Sequence, residues 1–145
     1  MRILGIDHGD RRIGLAVSDP LQITAQPLGL YLVTNEEADR KYFTQLVADY
    51  KIEKIVIGLP LRMDGTSGSR VKITKTFAVW LEGFLDTPII FWDERLTTKQ
   101  AMGMLIQQNV KGKAKKNIKD QLSAVIILSS YMESLRENSY DAKID

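Results

Sequence analysis

The chain has 145 residues, 44% apolar and 26% charged, with a net charge of only +2, a composition that predicts one soluble globular domain with enough length to bury a core without staples. It has no cysteine, which excludes a disulfide, a thiolate zinc site and a cysteine nucleophile. The start lacks a signal-peptide pattern and no apolar run approaches the roughly 20 residues that span a bilayer, so a cytoplasmic protein without membrane contact is expected.

Residues 2–7 and 12–18 read as two apolar strands joined by a short turn, with Asp7 at the end of the first and Gly9 just after it. A third strand is expected from Leu28 to Val33, after Pro27. Glu36 to Tyr50 carries Ala38, Tyr42, Phe43, Leu46, Val47 and Tyr50 at helical spacing, with Asn35 as N-cap. Ile55–Leu59 is apolar on both faces and follows a helix, as a buried parallel strand does. A polar loop at 62–68 precedes a helix from Val71 to Leu85, whose inner stripe is Thr74, Phe77, Ala78, Leu81 and Leu85. Ile89–Trp92 is a fifth strand running into Asp93-Glu94-Arg95, and Thr97 or Thr98 is expected to cap a helix to about Gln108. A lysine-rich loop then leads to a last helix from Ile118 to Leu135, and the chain from 138 to 145 reads as a loose tail behind a single domain at 1–137. Three strands in a meander, followed by strands that arrive through helical crossovers, predict a mixed five-stranded α/β sheet with helices on both faces.

An unpaired carboxylate at a buried strand end costs several kcal/mol unless a cation or partner compensates. Asp7 therefore reads as a metal- or phosphate-binding residue, with an ordinary Asp-Gly turn as the alternative. Asp93 or Glu94 at the end of strand five and Asp120 on the last helix are further candidates. Asp120 shares a helix face with Ala124 and Ile127, so it points inward; alternatively, Asn117-Ile118-Lys119-Asp120 is a capping box. Asp93 and Glu94 face opposite ways, so one can face the site while the other anchors a loop in a local ion pair. Converging carboxylates repel unless cations neutralise them, and hard oxygen ligands fit Mg²⁺ or Mn²⁺. His8, the only histidine, is a candidate proton carrier or phosphate contact, or else a plain turn residue. Lys111, Lys113, Lys115, Lys116 and Lys119 lie within nine residues and are candidate phosphate contacts, as are Arg11, Arg12 and Arg62; a solvated lysine loop is the alternative.

Asp7-x-Gly9 with Arg12-Ile13-Gly14-Leu15-Ala16-Val17-Ser18-Asp19, then Ile57-Gly58-Leu59-Pro60-Leu61, Met63-Asp64-Gly65-Thr66 and Trp92-Asp93-Glu94-Arg95-Leu96-Thr97-Thr98, together resemble the YqgF family. Its members are bacterial RNase H-like proteins described as Holliday-junction resolvases and as pre-16S ribosomal RNA nucleases. The resemblance covers about residues 2–135 in the family's order. It implies an RNase H-like fold and a catalytic, metal-holding set at Asp7, Glu94 and Asp120; Asp93 stays an additional candidate ligand from its place at the end of strand five. Asp10 stands where the family usually has threonine, and Arg62 where asparagine is typical. The expected function is a metal-dependent endonuclease acting on structured nucleic acid, with 5′-end processing of pre-16S rRNA ahead of resolution of branched DNA. Junction resolution needs two active sites and hence a homodimer, whereas RNA trimming can use a monomer. Two other classes fit less well. An actin-like ATPase or sugar kinase shares the strand-Asp-x-Gly start but needs a second comparable domain, and a non-catalytic RNA-binding ribosome-assembly module would not need the carboxylates.

Overall fold

The computed structural model describes residues 1–61, 68–96 and 113–144, and within the last helix the side chains of 122–137. The strands are β1 (Arg2–His8), β2 (Arg12–Ser18), β3 (Ala25–Leu32), β4 (Ile52–Leu59) and β5 (Ile89–Asp93). The helices among the described residues are α1 (Glu36–Asp49), α2 (Ser69–Glu82) and α3 (Lys113–Ile144), with a single 3₁₀ turn at Glu94–Leu96. The sheet order is β3-β2-β1-β4-β5. β1, β2 and β3 pair antiparallel, and β4 and β5 are added parallel to β1. This is the mixed sheet that the order of elements predicts.

The central strands are covered on both sides, which is why their sequences run apolar without alternation. On one face Leu4, Ile6, Ile13, Leu15, Ile55 and Ile57 pack against Phe43 and Leu46 of α1 and Ala78 and Leu81 of α2. On the other, Ile3, Ala16 and Val56 pack against Ala124, Val125, Ile127 and Leu128 of α3. The Asn35 side chain accepts the Ala38 N–H at 2.9 Å, so the predicted cap of α1 is present, with acidic residues in the first turn where the helix dipole favours them.

Several boundaries move. β3 begins at Ala25 rather than Leu28 and runs through Pro27. β3 is an edge strand, where a residue without an N–H is tolerated, and a register shift next to Ala16 accompanies Gly29 at φ 102°. β4 begins at Ile52, because Glu53 and Lys54 hide the start of the apolar run. The largest correction concerns α3, which starts at Lys113 and not at Ile118. Lys113, Lys115, Lys116 and Lys119 therefore sit on helical backbone instead of in a loop, and Asn117 lies past the first turn and cannot be an N-cap, so the capping box is not formed. Lysine is a good helix former, but it carries no apolar period to announce a helix. At the other end, the backbone of 138–144, read as a tail, continues α3. The helix expected at 97–108 and the polar loop at 62–67 lie outside the described residues.

Candidate functional site

Strand alternation divides the end of β1 between the two faces. Ile3 packs in the α3 cluster and Gly5 lies against Leu128, so alternation turns Asp7 the same way, whereas Leu4 and Ile6 pack toward α1 and α2 and His8 stacks on Phe77 of α2. Asp7 is half-buried beside Gly14 of β2. Two strands away, β5 ends with Trp92 opposite Gly58 and Asp93 opposite Leu59. The chain then enters the 3₁₀ turn, and this swings Glu94 back over Gly58. A Cβ at Gly58 would stand 3.0 Å from Glu94 Cγ and 2.5 Å from Ile127 Cδ1. Glycine there makes room for Glu94 on the α3 face.

Asp7 and Glu94 are thereby brought to one site. The Glu94 carboxyl is pushed up to about 7, first by burial and then by the negative charge of Asp7; Arg70 opposes the rise and Asp93 adds to it. Asp93 is occupied elsewhere. Its carboxylate accepts both the Arg95 backbone N–H at 2.9 Å and the Arg95 guanidinium, with Nη2 at 2.6 Å, and the Arg95 contacts hold it below the usual carboxylate range. Of the adjacent pair, Glu94 faces Asp7 and Asp93 anchors the turn.

The third expected carboxylate, Asp120, is placed by backbone alone. α3 runs against the direction of β1 and β4: Tyr131 accepts from Lys54 near the start of β4 at 3.0 Å, while Ile127 reaches Gly58 near its end. The Ala124 carbonyl lies 3.1 Å from where a Gly5 Cβ would stand. Asp120 is one helical turn before Ala124, toward the strand ends that carry Asp7 and Glu94. Its side chain, and those of Lys113, Lys115, Lys116 and Lys119, lie outside the described residues, as do Arg62 and Lys111 altogether. Among the described residues no three histidines or carboxylates form a metal-binding group.

Arg11 and Arg12 are exposed and line a cavity of about 290 Å³ together with Asp7, His8, Gly9, Gly14 and Leu30. This sets two cations beside the carboxylate. His8 is not a free turn residue. It stacks on Phe77 at 4.2 Å between ring centroids, and its Nδ1 lies 3.1 Å from Arg70 Nη2. Burial and the Arg70 charge lower its pKa to about 4, against the opposing effect of Asp10, so the ring is neutral at pH 7 and faces away from Asp7.

Arg70 is the site residue that sequence reasoning passed over. It donates to Asp10 Oδ1 at 2.8 Å and to the His8 carbonyl, tying the β1–β2 turn to α2, and its charge reaches Glu94. The signal was present: a cation in the first turn of a helix opposes the helix dipole and needs another reason to be there. The ion pair also accounts for Asp10, whose added negative charge is met by Arg70.

Comparison with known proteins places this arrangement. Residues 1–134 match the family model described as "RuvX: Holliday junction resolvase". A protein of Halothermothrix orenii named "Putative pre-16S rRNA nuclease" is 42% identical over 132 residues, covering 91% of this chain and 94% of its own. A protein of the same name from Bacillus subtilis is 42% identical over 139 residues, covering 93% and 99%. Among solved structures, RuvC of T. thermophilus in complex with a Holliday junction substrate superposes with a TM-score of 0.57 at 14% identity, covering 94% of this chain and 96% of that one. The yeast mitochondrial Holliday junction resolvase Ydc2 gives 0.56 at 13%, covering 90% and 77%. At such identities these two likenesses speak for the fold, which is RNase H-like.

Proposed function

This chain belongs to the RuvX family, and we propose that it is a metal-dependent endonuclease that processes the 5′ end of pre-16S rRNA in the cytoplasm. The observation that carries the reading is the pairing of Asp7 and Glu94 at the strand ends, in a chain whose relatives named as nucleases match it over nearly its whole length. Asp7, Glu94 and Asp120 form the proposed catalytic set.

The donors fit a divalent cation. Burial first, and the Asp7 charge second, raise Glu94 to about 7, and a cation held by these carboxylates would offset both costs. Carboxylate oxygens without thiolate or paired imidazole suit Mg²⁺ or Mn²⁺. When bound, such ions supply an activated water and stabilise the leaving oxygen of a phosphodiester. The chain's own residues do the remainder. Arg11 and Arg12 hold phosphates beside Asp7, Arg70 fixes the turn that carries it, and Asp93 with Arg95 fixes the turn that presents Glu94. The lysines of early α3, with Lys111 and Arg62, extend the phosphate path; such contacts position the backbone without reading sequence.

Resolution of branched DNA is the second reading, favoured by the description of the family model. It requires a homodimer with two active sites. The experiment is parallel cleavage of labelled pre-16S RNA and a four-way DNA junction, with Mg²⁺, Mn²⁺ or EDTA. Preferential cutting of the RNA at its 5′ end is expected. Symmetric cutting of the junction by a dimer, with the RNA left intact, replaces the first reading by the second. No cleavage of either with any metal overturns both.

A further inference from the structure

We propose that a second cavity, on the α1/α2 face of the same turn, receives one unpaired base of the substrate strand. The inference rests on the nuclease reading above. This cavity has a volume of about 370 Å³, within the range of small-ligand pockets. His8, Phe43, Phe77 and Trp80 form its aromatic side. Those rings are already packed on each other: Phe77 and Trp80 lie 5.8 Å apart at 30°, and Phe43 meets both edge-on. Phe77 and Trp80 remain half-buried, so an entering flat ring finds an aromatic surface to stack on.

The rim decides what kind of ring. Asp10, Thr34, Asn35 and Glu36 line it, and among the described residues no lysine or arginine does. The Asp10 and Glu36 side chains are 75% and 61% exposed. Their cationic partners, Arg70 and Arg40, stand outside the cavity wall. Both cations are already paired with these carboxylates, so such a rim offers a phosphate acceptors and no uncommitted positive charge among the described residues. A nucleobase suits it, because its amino and ring N–H groups need acceptors. The Asn35 amide adds a donor for a ring nitrogen or carbonyl, although its oxygen is engaged with Ala38.

Position supplies the link to the substrate. The cavity at Asp7 and the aromatic cavity share His8 and lie on opposite sides of the β1–β2 turn. A strand whose phosphates rest on Arg11 and Arg12 passes this turn, and a base turned over it past His8 enters the aromatic side. The division of labour is therefore cations for the backbone on one side and rings with acceptors for a base on the other. Base–aromatic stacking tolerates any sequence, so the cavity would select for an unpaired nucleotide and not for a particular one.

The test has two arms. In EDTA, affinity is measured for a short single-stranded RNA and for the same sugar-phosphate chain lacking all bases, using wild type and Trp80→Leu. Wild type is expected to bind the based strand about tenfold more tightly, and the variant is expected to bind both alike. Equal binding of the two strands by wild type overturns the proposal, and so does a variant that discriminates as well as wild type. If the variant does not fold, the wild-type comparison decides alone. In the second arm, the indole N–H resonances are followed during titration with adenosine, cytidine or arginine amide. Trp92, bonded to Ser130 on the other face, serves as the internal control. A nucleoside-dependent shift of Trp80 alone supports the base pocket even if nucleic acid is never cleaved, so failure of the nuclease reading stays distinct. A shift with arginine amide and none with nucleosides assigns the cavity to a cationic protein segment and overturns the proposal.

Discussion

The two faces of the sheet treat neighbouring residues of β1 in opposite ways. On the α3 face, Asp7 meets a second carboxyl, Glu94, whose ionisation is disfavoured by burial and by the Asp7 charge, with Arg70 opposing. On the α1/α2 face, His8 is stacked, bonded to Arg70 and held neutral. The backbone is shared and only strand parity separates them. The difference teaches that one face holds a carboxyl whose ionisation is disfavoured while the other holds a ring settled by packing. A perturbed carboxyl at a strand end is a candidate for chemistry.

The sharpest way to break the contrast is to remove the charge at Asp7. Asp7→Asn keeps shape and volume but withdraws a proposed cation ligand. Cleavage is expected to fall by more than about 100-fold, beyond the usual cost of losing a residue that only orients a ligand, while the fold persists. Wild-type turnover in the purified variant would sink the carboxylate site.

Glu94 and Asp93 sharpen it next. Glu94→Gln is expected to reduce cleavage by a similar factor. Asp93→Asn releases only the Arg95 anchor, so its loss is expected to stay within about tenfold. Both are compared at the same metal concentration. The reverse ranking would mean that Asp93, and not Glu94, serves the reaction.

How legible this was in the sequence depends on the kind of signal. The meander and the parallel additions were readable because buried central strands announce themselves as continuous apolar runs. Asp7 stood out as a candidate because it interrupts such a run. The choice between Asp93 and Glu94 was not legible, since alternation fixes that two neighbours differ without fixing which faces in, and the 3₁₀ turn then breaks the alternation altogether. The start of α3 was hidden for a different reason: Lys113 to Lys119 favour helix but bury nothing. Arg70 left only the trace of a cation at a helix start, and its partners, like the aromatic cavity, were invisible because they are assembled from β1, α1 and α2, and proximity across elements leaves no local pattern.

The rim of the α3 face gives a smaller effect. Replacing Lys113, Lys115 and Lys116 with alanine should weaken binding to all sequences alike. It should also flatten the dependence of log affinity on log salt by about two to three, at roughly 0.7 to 0.9 per phosphate contact. Alanine is the best helix former, so α3 is not penalised and thermal stability should hold. An unchanged slope in affinity measured against salt would leave Arg11 and Arg12 as the phosphate path and these lysines as solvated charges.

The smallest effect tests that disfavoured ionisation itself, without substrate. Glu94 ionises near 4.5 in the unfolded chain and near 7 in the folded one. Below pH 4.5 it is protonated in both states and contributes no difference from glutamine. As pH rises from 4.5 to 7, the unfolded chain releases its proton first, and the folded state loses stability relative to it. Full conversion of that rise would be about 3 kcal/mol. The carboxyl is only partly buried, so solvent screening lowers the expectation to roughly 1 kcal/mol. Metal-free Glu94→Gln should therefore unfold with wild type at pH 4 and be more stable by about that amount at pH 8. Adding Mg²⁺ at pH 8 should close the gap from the wild-type side, because a cation that binds only the folded state stabilises it. Denaturant melts at the two pH values, with and without Mg²⁺, read this directly. A gap that is equal at pH 4 and pH 8 would mean that neither burial nor Asp7 disfavours the Glu94 carboxylate, and the contrast between the two faces would then be one of packing alone.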